Sequence, residues 1–213
     1  MDVKKREMRI ISGTSKGRKL VTPRDQSLRP TSDRVKESIF NILQDKLEGK
    51  VVLDLFAGTG NLGIEALSRG AKKTIFVEKG RQALRLIQRN LNLFGLKERS
   101  EIFPKDANQA IGILKQKGES FDLILMDPPY ERGLIQKTLT KLHSNQIFHK
   151  DSIVVIEHNR REPLPRTLEG WNLIRQRRIG ETVISFLTPQ GEHHGTEVNI
   201  ETLNHLSLPA AGK

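Results

Sequence analysis

Two short segments contain residues whose types and order suit group transfer to a nitrogen atom. The tetrapeptide Asp127-Pro128-Pro129-Tyr130 follows the apolar run Phe121–Met126, so an acid, a carbonyl and an aromatic ring come together after a predicted buried strand. Upstream, Asp54 precedes a glycine-rich run at residues 58–63. Together the two segments predict methyl transfer to an exocyclic amine.

The tetrapeptide suits an aromatic amine, whose lone pair is delocalised into the ring and is a poor nucleophile. We expect Asp127 and the carbonyl of Pro128 to accept the two N–H bonds, which orients the lone pair and stabilises the developing positive charge. Tyr130, the only tyrosine, is expected to stack on the base that carries the amine. The alternative is an Asp-Pro turn beside a packed aromatic ring.

The glycine run fits the pattern G-x-G-x-x-G, in which the backbone approaches a ligand at the start of a helix. That pattern alone fits NAD equally well. Asp54 favours a cationic ligand, because a pyrophosphate would meet an unfavourable negative charge there. The ammonium and sulfonium of S-adenosylmethionine supply the positive charge, although Asp54 could also be a loop acid. Phe56, Gly58 and Gly60 complete the predicted cofactor loop.

Two further acids follow predicted strands. Glu78 lies at the end of the second strand, near the spacing at which an acid binds ribose hydroxyls in dinucleotide folds, so we expect it to bind the ribose. Asp106 precedes a predicted helix, where it could accept from the adenine amino group or cap the helix. The sequence leaves these two roles of Asp106 open.

The elements around these motifs alternate between strand and helix and predict an α/β fold with a doubly wound, mostly parallel, seven-stranded sheet. The predicted strands span residues 51–55, 73–77, 101–103, 121–126 and 152–157, and two closing strands at 172–179 and 182–188 predict an antiparallel hairpin. The predicted helices span residues 62–69, 81–93, 107–117 and 133–142.

An N-terminal extension precedes this pattern. Residues 9–11 and 18–21 flank a turn and predict a β-hairpin, and a helix is predicted to start at residues 30–33 and to run to Leu47. Arg34 and Lys36 are expected to lie exposed beside its buried face. We therefore divide the chain into an extension (1–47), a catalytic domain (48–190) and a mobile tail (191–213).

Charge indicates the class of partner. The 213 residues have a formal net charge of +11, and the first 36 residues hold eleven Lys and Arg against four acids. Such a local excess favours a polyanion, because neutralised phosphates release condensed counterions. A solvated basic arm is the alternative interpretation.

Composition excludes other classes of site. The chain has no cysteine, which removes disulfides, thiolate metal sites and methylation through a covalent thiolate adduct. His193 and His194 are adjacent and lack a third ligand nearby, so no metal is expected. Because we find neither a membrane-length apolar stretch nor a signal peptide, we expect a soluble, cytoplasmic protein.

Several segments together resemble the bacterial small-subunit ribosomal RNA guanine-N2 methyltransferases. The resemblance covers residues 8–188, and Arg29-Pro30-Thr31 is specific to that family, whereas the cofactor loop and Asp-Pro-Pro-Tyr occur in many amine methyltransferases. The segments that carry it are residues 9–13, 17–20, 29–37, 40–41, 54–67 and 127–130.

The resemblance implies a class I methyltransferase fold, S-adenosylmethionine as the methyl donor, and one guanine of ribosomal RNA as the acceptor. The RNA would belong to a small subunit or its assembly intermediate, and we expect the enzyme to act as a monomer. The extension is then expected to contact RNA through Arg9, Arg18, Lys19, Arg29, Arg34 and Lys36. The alternatives are an adenine-N6 methyltransferase of DNA or RNA, a NAD-dependent oxidoreductase and a non-catalytic RNA-binding protein.

Overall fold

Seven strands form one sheet in the part of the chain that this computed structural model describes, residues 8–23, 32–130 and 133–190. In chain order they are β1 Val51–Leu55, β2 Lys73–Val77, β3 Ser100–Phe103, β4 Phe121–Met126, β5 Phe148–Asn159, β6 Trp171–Ile179 and β7 Thr182–Pro189. Their order across the sheet is β3-β2-β1-β4-β5-β7-β6. Strands β1 to β5 are parallel, whereas β7 is antiparallel to both β5 and β6. This confirms the predicted fold class.

Helices cover both faces of the sheet. They are α1 Asp33–Leu43, α2 Asn61–Ser68, α3 Arg81–Phe94, α4 Ala107–Gln116 and α5 Leu134–Asn145. Apolar residues of α1, α2 and α3 form one core with one face of the sheet, and those of α4 and α5 form a second core with the other face. Burial on both faces explains why β1 and β4 are nearly continuous apolar runs.

The first helix begins as predicted and ends earlier than predicted. The Ser32 hydroxyl caps it by accepting a hydrogen bond from Val35 N at 3.3 Å. The helix ends at Leu43 because Gln44 has a φ of 39°, and one turn of 3₁₀ helix then reaches Leu47. The apolar spacing extended the prediction across this break in the backbone.

The N-terminal extension packs on the sheet domain. Arg9 and Lys19 form an antiparallel bridge, and Ile10 N donates to Arg18 O at 2.9 Å, so the predicted hairpin is present in reduced form. Ile10 and Leu20 are buried in the core shared by α1, α2 and α3. The division of the chain at residue 47 stays a prediction, as does the mobility of the tail, which lies outside the described residues.

Two kinds of site find no support in the described ranges. None of the helices there has the length and apolarity needed to cross a bilayer. Nor do His, Asp or Glu residues gather there into a group that would hold a metal ion.

Candidate active site

The carboxyl ends of β1, β2 and β4 lie level at one edge of the sheet, and the neighbouring strand β5 continues past this edge to Asn159. Leu55 of β1 pairs with both Val77 of β2 and Met126 of β4, and Met126 pairs in turn with Ile156 of β5. Such an edge is the usual ligand site of open α/β sheets. The residues that come next along these strands are Phe56, Glu78, Asp127 and Glu157.

One cavity of about 380 Å³ opens at this edge and brings together most of the residues predicted from the two motifs. Its volume lies within the range of small-molecule and cofactor sites. Gly60 does not line it, and instead begins α2 in the left-handed conformation with a φ of 80°. The predicted residues that line the cavity are Asp54, Phe56, Gly58, Glu78, Asp106, Asp127, Pro128 and Tyr130.

Asp54 is a buried acid in this cavity. Its side chain is 1% exposed, and its Oδ2 accepts a hydrogen bond from Gly63 N at 2.9 Å. Burial raises the pKa of this carboxyl to about 8, and the nearby charges of Asp127 and Glu78 add to the effect while the Gly63 N–H opposes it. A cation that enters the cavity would favour the ionised form of this carboxyl and would be bound by it.

Gly63 allows α2 to approach the sheet closely. A Cβ atom at this position would lie 2.3 Å from Cε1 of Phe76 and 2.9 Å from Oδ2 of Asp54. Only glycine leaves space for the ring and keeps the N–H in reach of the carboxylate. The third glycine of the motif therefore has a packing role and also positions Asp54.

Glu78 fixes the conformation of the cofactor loop. Its Oε2 accepts from Gly58 N at 2.9 Å, and its Oε1 accepts from Lys79 N at 2.8 Å and from Gly80 N at 2.6 Å. The two loops that follow β1 and β2 are thus joined through one carboxylate. Of its four lone-pair sites, about one remains for a ligand hydroxyl in the cavity.

Asp106 caps a helix and also lines the cavity. Its Oδ1 accepts from Asn108 N at 3.0 Å at the start of α4, and its Oδ2 lies 3.6 Å from the ammonium of Lys79. The capping role is therefore present in the structure. Contact with the adenine of a bound nucleoside stays a prediction.

The tetrapeptide Asp127-Pro128-Pro129-Tyr130 lines the same cavity. Pro128 is buried, and Asp127 and Tyr130 are half-buried. Glu157, whose role the sequence left unassigned, is 5% exposed and lines the same cavity beside Asp127 in the strand register. An acidic side chain directly after the buried apolar run at residues 154–156 was the signal that could have assigned Glu157 to the site.

The N-terminal extension reaches the cavity in two ways that the sequence did not reveal. Met8 lines the cavity directly. The buried amide of Asn90 on α3 accepts from Val21 N at 2.7 Å and donates to Val21 O at 3.1 Å and to Thr59 O at 3.0 Å. Asn90 thereby joins the end of the hairpin to the cofactor loop.

Lys36 is not an exposed cation, so its predicted position was wrong. Its side chain is 0% exposed, and its ammonium donates to Arg9 O and, at 2.7 Å, to Oδ1 of Asn61 in the cavity wall. It also lies 3.6 Å from Oε2 of Glu65. Burial lowers the pKa of Lys36, and the charge of Glu65 opposes that shift. Helical spacing had placed Lys36 at the margin of the buried face, whereas the hairpin covers that margin.

Glu65 explains how the hairpin is held on α2. This buried carboxylate accepts from Ile11 N at 2.8 Å, from Ser12 N at 3.0 Å and from Nε of Arg69 at 2.8 Å. Sequence analysis did not select Glu65, although its i,i+4 spacing to Arg69 was a visible signal of an ion pair.

Four of the predicted RNA-binding residues, Arg9, Arg18, Lys19 and Arg34, are exposed on the extension. Arg9 lies 3.4 Å from Asp33, and the Arg18 guanidinium lies 4.5 Å from the centre of the Phe94 ring. Arg29 lies outside the described residues. The exposed cations and Met8 belong to the same extension, which joins a basic surface to the cavity.

Comparison with known proteins gives consistent matches. The family described as conserved hypothetical protein 95 matches residues 8–188. YlbH of Bacillus subtilis, described as a candidate rRNA methyltransferase, is 38% identical over 86% of this chain and 100% of its own length. Ribosomal RNA small subunit methyltransferase D of Haemophilus influenzae is 36% identical over 83% of this chain and 91% of its own length.

The fold has a similar counterpart among solved structures. The structure of yhhF from Escherichia coli, described as a candidate methyltransferase, superimposes with a TM-score of 0.76 at 30% identity. The match covers 87% of this chain and 99% of that one. The similarity therefore extends over most of this chain and nearly all of that one.

Proposed function

Because the chain belongs to the family described as conserved hypothetical protein 95, we propose that it transfers a methyl group from S-adenosylmethionine to the exocyclic N2 of a guanine in small-subunit ribosomal RNA. Family membership confirms the resemblance seen in the sequence. The solved structure of yhhF, which superimposes on this chain, has a class I methyltransferase fold. Two relatives matched over nearly their whole length carry the name of rRNA methyltransferase. We further propose that the enzyme works in the cytoplasm, on the small subunit or its assembly intermediate.

The cavity suits S-adenosylmethionine because its charges are complementary to a cationic nucleoside. The buried Asp54, with neighbouring Asp127 and Glu78, forms an acidic site in which a sulfonium and an ammonium find counter-charge. The same acids disfavour the pyrophosphate of NAD. Glu78 would hold the ribose, and Asp106 would face the adenine. When bound, S-adenosylmethionine supplies a methyl group activated by its sulfonium.

The single observation that carries the proposal is that Asp127, Pro128 and Tyr130 line the same cavity as Asp54 and Glu78. The carboxylate of Asp127 and the carbonyl of Pro128 would accept the two N–H bonds of the guanine amine, and the ring of Tyr130 would stack on the base. The nitrogen lone pair is then directed into the cavity. The proton that the nitrogen loses passes to Asp127 or to water.

The RNA surface is proposed to include the exposed cations of the extension. Arg9, Arg18, Lys19 and Arg34 support this role because they are exposed on the segment that also supplies Met8 to the cavity. Lys36 instead holds the hairpin against Asn61 and Glu65. We therefore assign Lys36 a positioning role and no direct contact with phosphate.

The direct test is transfer of tritiated methyl groups to small subunits from a strain that lacks this enzyme, to protein-free ribosomal RNA and to duplex DNA. The labelled nucleosides are then identified. We expect N2-methylguanosine from the small subunit. Recovery of N6-methyladenosine as the main product would contradict the choice of acceptor.

Variants of the tetrapeptide test the assigned roles. Asp127→Ala should lower kcat by a factor of about 10² to 10³, since it removes one preorganised hydrogen-bond acceptor from the developing charge. Affinity for S-adenosylhomocysteine, measured by calorimetry, should change little. Tyr130→Ala should raise KM for the RNA substrate by about 5- to 150-fold through loss of stacking, whereas Tyr130→Phe should not. An unchanged turnover rate in Asp127→Ala refutes the catalytic role.

A further inference from the structure

A polar groove between α4 and α5 leads away from the active-site cavity. It has a volume of about 1020 Å³, and Lys105 lines both the groove and the cavity. At the other side Gly133 lines the groove, while the next residue, Leu134, lines the cavity. The groove is therefore a continuation of the active site along the outer surface of the two helices.

The groove carries positive charge that no acidic residue described in its lining neutralises. Three lysines line it, Lys105, Lys137 and Lys141, and no acidic side chain is among the described residues that line it. Within the described ranges, none of the three ammonium groups lies in an ion pair, whereas Lys50 and Lys73 elsewhere on the surface pair with carboxylates. Unpaired ammonium groups in a concave surface attract an anionic partner.

The other lining groups suit a sugar–phosphate backbone. They are amides and hydroxyls that donate and accept hydrogen bonds, as ribose 2′-hydroxyls and phosphates require. Lys137 and Lys141 lie one helical turn apart on α5, so both ammonium groups project from one face, at a separation suited to successive phosphates. These polar groups belong to Asn108, Gln109, Gln116, Gln136, Thr140 and Ser144.

We propose that this groove binds the backbone of the RNA strand next to the target nucleotide. The inference rests on the proposed function, and it adds a second RNA surface on the face of the sheet opposite the N-terminal extension. With a base held between Asp127 and Tyr130, the flanking nucleotides leave the cavity at its mouth, where Lys105 begins the groove. The target strand would thus be held on both sides of the flipped nucleotide.

The test is the double variant Lys137→Ala and Lys141→Ala. Its matched control is Lys46→Ala with Lys72→Ala, which removes the same charge from lysines that precede β1 and β2, at the opposite edge of the sheet. The groove variant should raise KM for small subunits on the order of tenfold, and the slope of log KM against log salt should decrease by about 1.4, or about 0.7 for each phosphate that is no longer neutralised. Its kcat and its affinity for S-adenosylhomocysteine should be unchanged, and the control should match the parent protein.

Several results would overturn the proposal. One is an unchanged KM in the groove variant. Another is an equal rise of KM in the control variant, which would indicate that KM depends only on the net charge of the protein. A parallel loss of affinity for S-adenosylhomocysteine would also overturn it, because the lysines would then serve the donor cavity. Co-sedimentation of each variant with small subunits measures binding without turnover, so the groove is tested even if the parent protein transfers no methyl group.

Discussion

Replacing Asp54 by asparagine should stabilise the donor-free protein, and increasingly so as the pH rises. Burial raises the pKa of this carboxyl from 3.8 to about 8. Between about pH 4 and pH 8, Asp54 is therefore protonated in the folded protein and ionised in the unfolded chain. The stability that this group contributes is complete below about pH 4 and is lost as the pH rises to about 8, at about 1.4 kcal/mol per pH unit. Asparagine cannot ionise, and its oxygen can still accept from Gly63 N.

Urea denaturation of both proteins at several pH values checks this expectation. The stability difference in favour of Asp54→Asn should grow by about 2 kcal/mol between about pH 6 and pH 7.5, since other titrating groups cancel in the difference. Asp151→Asn, which removes an exposed acid, is the matched control and should follow the parent curve. Parallel curves for parent and Asp54→Asn would refute the inference that burial holds a proton on Asp54.

The same variant should respond differently to the demethylated donor. S-adenosylhomocysteine retains the ammonium, so it should stabilise the parent protein and have a much smaller effect on Asp54→Asn, which offers no carboxylate. Binding to the parent near neutral pH should also release a proton, because the ammonium favours the ionised form of Asp54. Calorimetry in buffers of different ionisation enthalpy measures that proton. Equal stabilisation of both proteins would contradict a direct role of Asp54 in donor binding.

Two other substitutions test the packing around the cavity. Gly63→Ala should destabilise the fold by about 1 to 3 kcal/mol and weaken binding of S-adenosylhomocysteine, because the alanine Cβ would lie 2.3 Å from the Phe76 ring. An unchanged denaturation midpoint and an unchanged affinity would contradict the close approach of α2 to the sheet. Lys36→Met should cost on the order of 3 kcal/mol in the free energy of unfolding, because Glu65 would be deprived of a buried counter-charge. Urea denaturation measures this cost, with Lys16→Met as the exposed control, and equal effects of the two variants would argue against the buried pair.

Much of the sheet could be predicted from the sequence because its strands are buried on both faces. The bounds of β1, β2 and β4 agree with the prediction, since each is a short apolar run between turn residues or charges. Strand β5 begins at Phe148, whereas the prediction placed its start at Ser152. The prediction missed the first residues because they are mostly polar and exposed. Hydrophobic pattern does not reveal this irregular start, where the register of β5 with β4 shifts between Phe121 and Leu123.

The cavity was largely predictable for a related reason. Asp54, Glu78 and Asp127 each lie at or just after the end of a parallel strand, and parallel strands end at the same edge of a sheet. Lys36 and Asn90 could not be assigned in this way, because their partners come from the N-terminal hairpin and its end, which are far away in sequence. A local pattern shows which face of a helix is polar but does not show what covers it.

The attachment of the hairpin limits how this protein can be rebuilt. The side chain of Asn90 forms hydrogen bonds with the backbone N–H and C=O of Val21 and donates to the carbonyl of Thr59. Glu65 accepts hydrogen bonds from two backbone N–H groups of the hairpin turn. All of these contacts with the hairpin use its backbone groups, so a hairpin of different sequence could replace it if its backbone followed the same path. The side chains at these hairpin positions can therefore be exchanged more freely than Asn90 or Glu65, whereas a change in hairpin length would remove hydrogen bonds from both buried side chains.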